Sequence, residues 1–326
     1  MATENGMAVA GQTVPANPES MVDIAVVGAG PAGMTAAIYG RRAGKSVVLF
    51  EALVPGGQIV NTPDIENYPV VPHLTGFDFA DRLRAQAEAL GATIVYERVD
   101  SLEPAPDGSW VLSTAAGPRR ARAVILATGS ATRKLGAENE DALAGKGISY
   151  CATCDGAFFR GKDVAVVGGG NTALEDALYL SDLARRVVLV HRRHEFRGDA
   201  ATVERLRARS NVEFALGCTV ARLVADGGRL QGAVLADAAT GATRTTAVQG
   251  LFVAVGRIPE TAAFAHLVPL DPGGFAAAGE DCRTPRSGLF VAGDVRSKAV
   301  RQLVTATADG AVAATAAVQY LQSLAP

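Results

Sequence analysis

Four apolar residues, Ile24-Ala25-Val26-Val27, run into a turn with glycine at 28, 30 and 33. Behind that turn the apolar positions recur at helical spacing until a second run, Val47-Val48-Leu49-Phe50, begins. The pattern predicts strand, glycine-rich turn, helix, strand. It returns at a constant offset of 140 residues, from Asp163 to His191. Ala37 and Tyr39 recur as Ala177 and Tyr179, and Val47-Val48-Leu49 recurs as Val187-Val188-Leu189. Two further apolar runs, 122–130 and 288–295, predict buried strands, and a helical pattern starts at Arg301-Gln302.

Each glycine of the first turn has a mechanical reason. Gly28 permits the tight turn, Gly30 lets backbone approach a pyrophosphate, and Gly33 lets the helix pack closely on the strand. With Pro31 and Ala32 between them, the helix N-terminus presents free N–H groups to phosphate. The second turn, with Gly168, Gly170, Asn171 and Thr172, repeats the device with Ala173 in place of the third glycine. The copies differ where the second strand ends. Glu51 closes the first, an acceptor for a ribose hydroxyl pair, whereas His191, Arg192 and Arg193 close the second, with Arg197 further on. A carboxylate repels a 2′-phosphate and guanidinium groups grip it. The first copy therefore suits FAD or NAD, the second NADPH, and two unlike nucleotides in one chain imply electron transfer between them.

The fold class expected is α/β, with two Rossmann-like, three-layer dinucleotide-binding domains. The FAD domain would comprise 21–130 and 263–326, with the NADPH domain, 131–262, inserted into it. Its strands would end at Ala127-Thr128-Gly129 and at Gly293-Asp294. Asp294 suits ribityl hydroxyls, and the helix dipole behind it suits negative charge on a reduced flavin ring; Gly-Asp is also an ordinary strand-end turn. The crossings at Gly129 and at Gly256–Pro259 are candidate hinges.

Composition narrows the class. Of 326 residues, 48% are hydrophobic and 20% charged, enough for two buried cores. A net charge of −2 gives no electrostatic reason to expect nucleic acid or an anionic membrane. No apolar run reaches the roughly 18 residues of a membrane span. Residues 1–20 lack a basic n-region and an apolar stretch, so they read as a disordered leader rather than an export signal. Four cysteines without such a signal point to a reducing, cytoplasmic setting.

With these motifs assembled, the chain resembles bacterial-type, low-molecular-weight thioredoxin reductases, from about Asp23 to Leu321. The match includes GAGPAG, the Pro55–Gln58 turn, Glu66–Pro69, the ATG strand end, CATCDG at 151–156, GGGNTA, HRRxxFR, and the pairs at 293–294 and 301–302. CATCDG just before the second glycine turn is the most specific of these. The resemblance implies non-covalent FAD, NADPH as donor, a homodimer, and thioredoxin or a thioredoxin-like protein as acceptor. It puts Glu51, Gly57, Gln58, Asn67, Val99, Asp294, Arg301 and Gln302 at the FAD, and Arg192, Arg193 and Arg197 at the NADPH phosphate. Val300 replaces an aromatic residue of several relatives, and Glu260 an asparagine.

Cys151 and Cys154 offer three chemistries: half a zinc site, a structural bridge, or a two-electron shuttle. Zinc needs about four ligands. Cys218 and Cys282 are isolated, and His73, His191, His194 and His266 show no ligand spacing to the pair, so no metal is expected. A bridge across two residues closes too small a loop to stabilise much. The redox reading is preferred, and the resemblance implies that Cys154 faces the flavin and Cys151 the partner. Asp155 is a candidate general acid/base, or a plain turn residue before Gly156. A flavin-dependent dithiol oxidase and a redox sensor without turnover are the alternatives.

Overall fold

The computed structural model describes residues 21–62 and 64–324; the leader expected over 1–20 lies outside them. The chain forms two compact units. The first runs to Ala131 and resumes at Ile258; the second is Thr132–Arg257.

In the first unit, strand Met21–Val27 lies between Val47–Phe50 and Gly117–Leu126, parallel to both, with Val26 opposite Leu49 and Ile125. Thr93–Val95 extends the sheet beyond Val47–Phe50, and Leu289–Val291 joins the second half of Gly117–Leu126, again in parallel. The first half of that long strand turns antiparallel onto Trp110–Thr114, which pairs with Val99–Pro104.

Both faces of the parallel part are covered, which is why its strands read as unbroken apolar runs. Ile24, Val26, Leu49 and Ile125 meet helices Pro31–Arg42, Gly76–Ala89 and Leu303–Ser323. Val27, Val48, Phe50 and Leu126 meet Leu102, Trp110, Leu112 and Phe264. Each fully buried Leu or Ile contributes about 1.5–3 kcal/mol relative to exposure. The Ala-rich helix Leu303–Ser323 packs closely on Pro31–Arg42: a Cβ at Gly310 would run into the Ala32 carbonyl.

The second unit repeats the layers. Its sheet is wholly parallel, in the order Val212–Leu216, Arg186–His191, Asp163–Val167, Gly250–Val253, Ile148–Ser149. Helices Asn171–Ser181 and Ala200–Arg207 bury Leu174 and Leu206 with Val166, Leu189 and Phe252. On the other face, Val188, Val190 and Leu251 meet Leu223, Ala233 and Leu235 from the antiparallel sheet Cys218–Asp226, Arg229–Asp237, Thr243–Ala247. The fold is thus α/β, with two Rossmann-like units of three layers each. The crossing strands, Ser130–Thr132 and Arg257–Pro259, pair as a two-stranded sheet.

Candidate active site

In the first unit the glycine turn gathers residues far apart in sequence. Gly28 has φ +103°, and a Cβ there would press on the Ala127 carbonyl at 2.5 Å, so glycine is required. Gly33 is closed in the same way by the Gly28 carbonyl. Gly30 differs: an added Cβ would meet no atom within 4 Å. The backbone beside it is open, as a pyrophosphate needs, and Pro31 starts the helix without using an N–H.

Glu51 follows the second strand and turns back to this loop. Its carboxylate accepts from the Ala29 N–H at 3.0 Å and the Leu53 N–H at 2.9 Å. The turn at Gly56-Gly57 folds over the same place, with the Gly56 N–H on the Ala29 carbonyl at 2.8 Å and the Cβ position of Gly57 3.3 Å from the Gly30 Cα. Gln58 lies in the short helix Gly57–Asn61 that this turn starts. Ala32 is the nearest neighbour of Gly293, at 2.8 Å from its Cβ position. Asn67 donates to the Gln302 side chain at 3.2 Å across 235 residues. Thr128 Oγ1 donates to the Glu260 carbonyl, and the Glu260 N–H to that of Gly129. Val99 starts strand Val99–Pro104 and packs against the buried cluster that holds Val27 and Phe50.

Asp294 sits in the turn Gly293–Val295 before Leu303–Ser323. Arg301 spans that turn: it donates to the Asp294 and Arg296 carbonyls and stacks over Phe275 at 3.9 Å. Behind it lies a buried set the sequence reading missed. Asp309 accepts from the Gly293 N–H at 3.0 Å, from Arg296 at 3.1 Å and from Lys298 at 3.0 Å. Lys298 also approaches Asp294 at 3.8 Å. The signal was present, since Asp309 falls on the same helical stripe as Ala306, Gly310 and Ala313.

The second turn has the same build. The Gly168 N–H donates to the Val190 carbonyl, and Gly170 is as open as Gly30. Asn171 accepts from the Asp199 N–H at 2.7 Å, and Thr172 is exposed on the first helical turn. His191, 5% exposed, lies under Gly169 and stacks on Phe196 at 5.4 Å, with Nε2 lacking a hydrogen-bond partner. Its pKa is lowered, first by burial and then by the charges of Arg197, Arg193 and Arg192; a backbone hydrogen bond with Glu195 opposes this. The Arg197 N–H is fixed on the Gly169 carbonyl at 2.8 Å. Among the described residues, none of these three guanidinium groups has an ion-pair partner. Exposed cations beside an open glycine turn fit a phosphorylated nucleotide.

Cys151 and Cys154 form a disulfide, with Cα atoms 5.3 Å apart, around the single turn Ala152–Asp155. Ala152 is buried with Ala173, Ala177 and Leu180, and Gly156 is closed by Tyr179 and Leu180, so the pair rests on helix Asn171–Ser181. The Asp155 N–H donates to the Cys151 carbonyl at 3.1 Å. Its carboxylate accepts from Ser149 Oγ at 2.6 Å. Burial raises the Asp155 pKa, and the Ser149 bond works against that rise. Upstream, Tyr150 donates to the buried Glu140 at 3.0 Å, which also accepts from the Leu135 and Gly136 N–H groups. Among the described residues no cluster of His, Cys, Asp and Glu could hold a metal ion, and no helix is long and apolar enough to cross a membrane.

Two glycine turns of nucleotide-binding build and the Cys151–Cys154 disulfide define a nucleotide-linked disulfide oxidoreductase. The sequence profile of the pyridine nucleotide-disulphide oxidoreductase family matches residues 22–310, and the chain belongs to that family. It is 42% identical to a thioredoxin reductase of Listeria monocytogenes over 95% of this chain and 97% of the relative. Among solved structures, thioredoxin reductase from Streptococcus pyogenes overlays with a TM-score of 0.88 at 38% identity, over 93% of this chain and 99% of that one. That of Lactococcus lactis, in a form described as the FR conformation, overlays at 0.64 with 35% identity, over 93% and 100%.

Proposed function

We propose that this chain takes electrons from NADPH through FAD to the Cys151–Cys154 disulfide and from there to the disulfide of thioredoxin or a thioredoxin-like protein. The observation that carries the reading is the Cys151–Cys154 bond within the unit that also holds the arginine-rich glycine turn. FAD, when bound, supplies the two-electron carrier between the nicotinamide hydride and the disulfide.

The chain's own residues do the rest. Glu51 orients a ribose by accepting from its hydroxyls, while Arg192, Arg193 and Arg197 select the 2′-phosphate of NADPH. Once reduced, the Cys151 thiolate attacks one sulfur of the acceptor disulfide and the other sulfur leaves with a proton. Cys154 then gives up its proton and attacks Cys151 Sγ, which restores the internal bond and releases the second acceptor sulfur as a thiolate that takes its proton from water. Asp155 delivers the first leaving sulfur's proton and recovers the one that Cys154 gives up.

The dithiol has to meet both a flavin and a bulky protein, so the inserted unit turns about its crossings. Gly129 and Gly256 flank them at φ +73° and +113°, each with open space at the Cβ position. A homodimer and a cytoplasmic setting belong to the same reading.

The test is NADPH oxidation by the FAD-loaded chain with a panel of oxidised thioredoxin-like proteins. Turnover with at least one of them, lost in Cys151→Ser and in Cys154→Ser, supports the reading. Turnover with oxygen alone would make the chain an oxidase, and no turnover with any acceptor would leave a sensor.

A further inference from the structure

Ser149 ends the two-residue strand that leads into the cysteine pair, and it is 4% exposed. Its hydroxyl touches three groups of the redox turn. The Cys151 N–H donates to Ser149 Oγ at 3.1 Å, and Oγ lies 2.6 Å from Asp155 Oδ2 and 3.2 Å from the Cys151 carbonyl oxygen. A hydroxyl has one proton to give, and the short bond to a carboxylate is the stronger use of it. We propose that Ser149 is a positioning residue that fixes the Asp155 carboxyl in the redox turn. This rests on the reading above that Asp155 moves the proton of disulfide exchange.

Among the described residues no other side chain holds the Asp155 carboxyl in this way. Burial raises the Asp155 pKa from 3.8, and the Ser149 bond is the one contribution that lowers it. Helix Asn171–Ser181, packed on the same turn, carries Glu175, Asp176 and Tyr179, and none enters the Asp155 balance. Strand Gly250–Val253, beside Ile148–Ser149, carries no ionisable side chain. Tyr150 is turned to Glu140. Lys162 is held over the Phe159 ring and on the Phe158 carbonyl.

The hydroxyl thus joins two tasks. It occupies the Cys151 N–H, which fixes the N-terminal cysteine, and it sets how readily the carboxyl one residue beyond Cys154 gives up its proton. Without it, burial acts on Asp155 alone and the pKa rises. Asp155 must be protonated to deliver its proton to the leaving sulfur, a step lost as pH rises through that pKa, so this limb moves to higher pH.

The experiment is the pH profile of kcat/KM for acceptor reduction by the FAD-loaded chain. In Ser149→Ala the Asp155-dependent limb moves to higher pH, the KM for NADPH stays as in the parent, and Ser149→Thr, which keeps the hydroxyl, returns the limb. Where Ser149→Ala does not fold, Ser149→Val replaces it, with Ser149→Thr as its isosteric control. A hydroxyl-free variant that slows turnover at every pH with the limb in place overturns the proposal. Asp155→Asn identifies the limb: if the limb survives there, the acid/base reading of Asp155 itself fails, whereas loss of the limb in Asp155→Asn with none of it moved in the Ser149 variants sinks only the role of Ser149.

Discussion

The Asp309 carboxylate accepts the Gly293 N–H at 3.0 Å, tying the second turn of the last helix to the turn that carries Asp294. Both of its oxygens are engaged by Arg296 and one by Lys298. Glu280 also pairs with Arg296 but is 93% exposed, so the buried anion carries the balance. Removing one member of a buried ion set leaves its partners charged in a poor solvent, at a cost of about 3–5 kcal/mol.

Asp309→Asn keeps the shape and one acceptor but takes from Arg296 and Lys298 the buried anion they share. Guanidinium unfolding of this variant shows stability lower by about 3 kcal/mol or more, and the purified protein retains less FAD. A midpoint equal to the parent's would mean that the set contributes nothing.

The arginine turn makes a prediction about cofactor choice. Hydrogen bonds to charged groups are strong enough that losing two weakens binding by roughly 100-fold or more. Arg192→Ala combined with Arg193→Ala raises the KM for NADPH by that order and leaves NADH kinetics nearly unchanged. Equal loss with both nucleotides refutes the phosphate assignment.

Asp176, on the helix that supports the cysteine pair, supplies a pH prediction. Burial, with the nearby Glu175 charge behind it, raises its pKa from 3.8 to about 7. Between those values the unfolded chain has lost the proton that the folded chain keeps, so stability falls as pH rises through this window. Asp176→Asn cannot ionise and so escapes the penalty. Its melting temperature exceeds the parent's by a few degrees at pH 8, on the order of 1 kcal/mol, and the difference fades toward pH 4. A gap that does not depend on pH contradicts this.

The strands were legible because a parallel sheet covered on both faces leaves no polar alternation, and Ile24–Val27 and Val164–Val167 are buried in that way. The glycine turns were legible for a steric reason, since Gly28 and Gly33 have no room for a Cβ. Glu51 could be placed by counting from the turn to the next strand end. The contact of Asn67 with Gln302 could not, because no local rule spans that distance in sequence. Ser149 escaped notice for another reason: its role exists only once the chain closes from strand into the turn at Asp155. Asp309 was hidden among alanines, although a carboxylate on a buried stripe always needs a partner.

Electron entry into the sulfur pair is measured most directly by the anaerobic uptake of NADPH by the FAD-loaded chain. A bound flavin and a disulfide each accept one electron pair. The parent chain therefore consumes two equivalents of NADPH before reduction is complete and exposes two new thiols, while Cys154→Ser consumes one and exposes none. One equivalent in both proteins, with Cys151 and Cys154 still bonded in the parent, would contradict it.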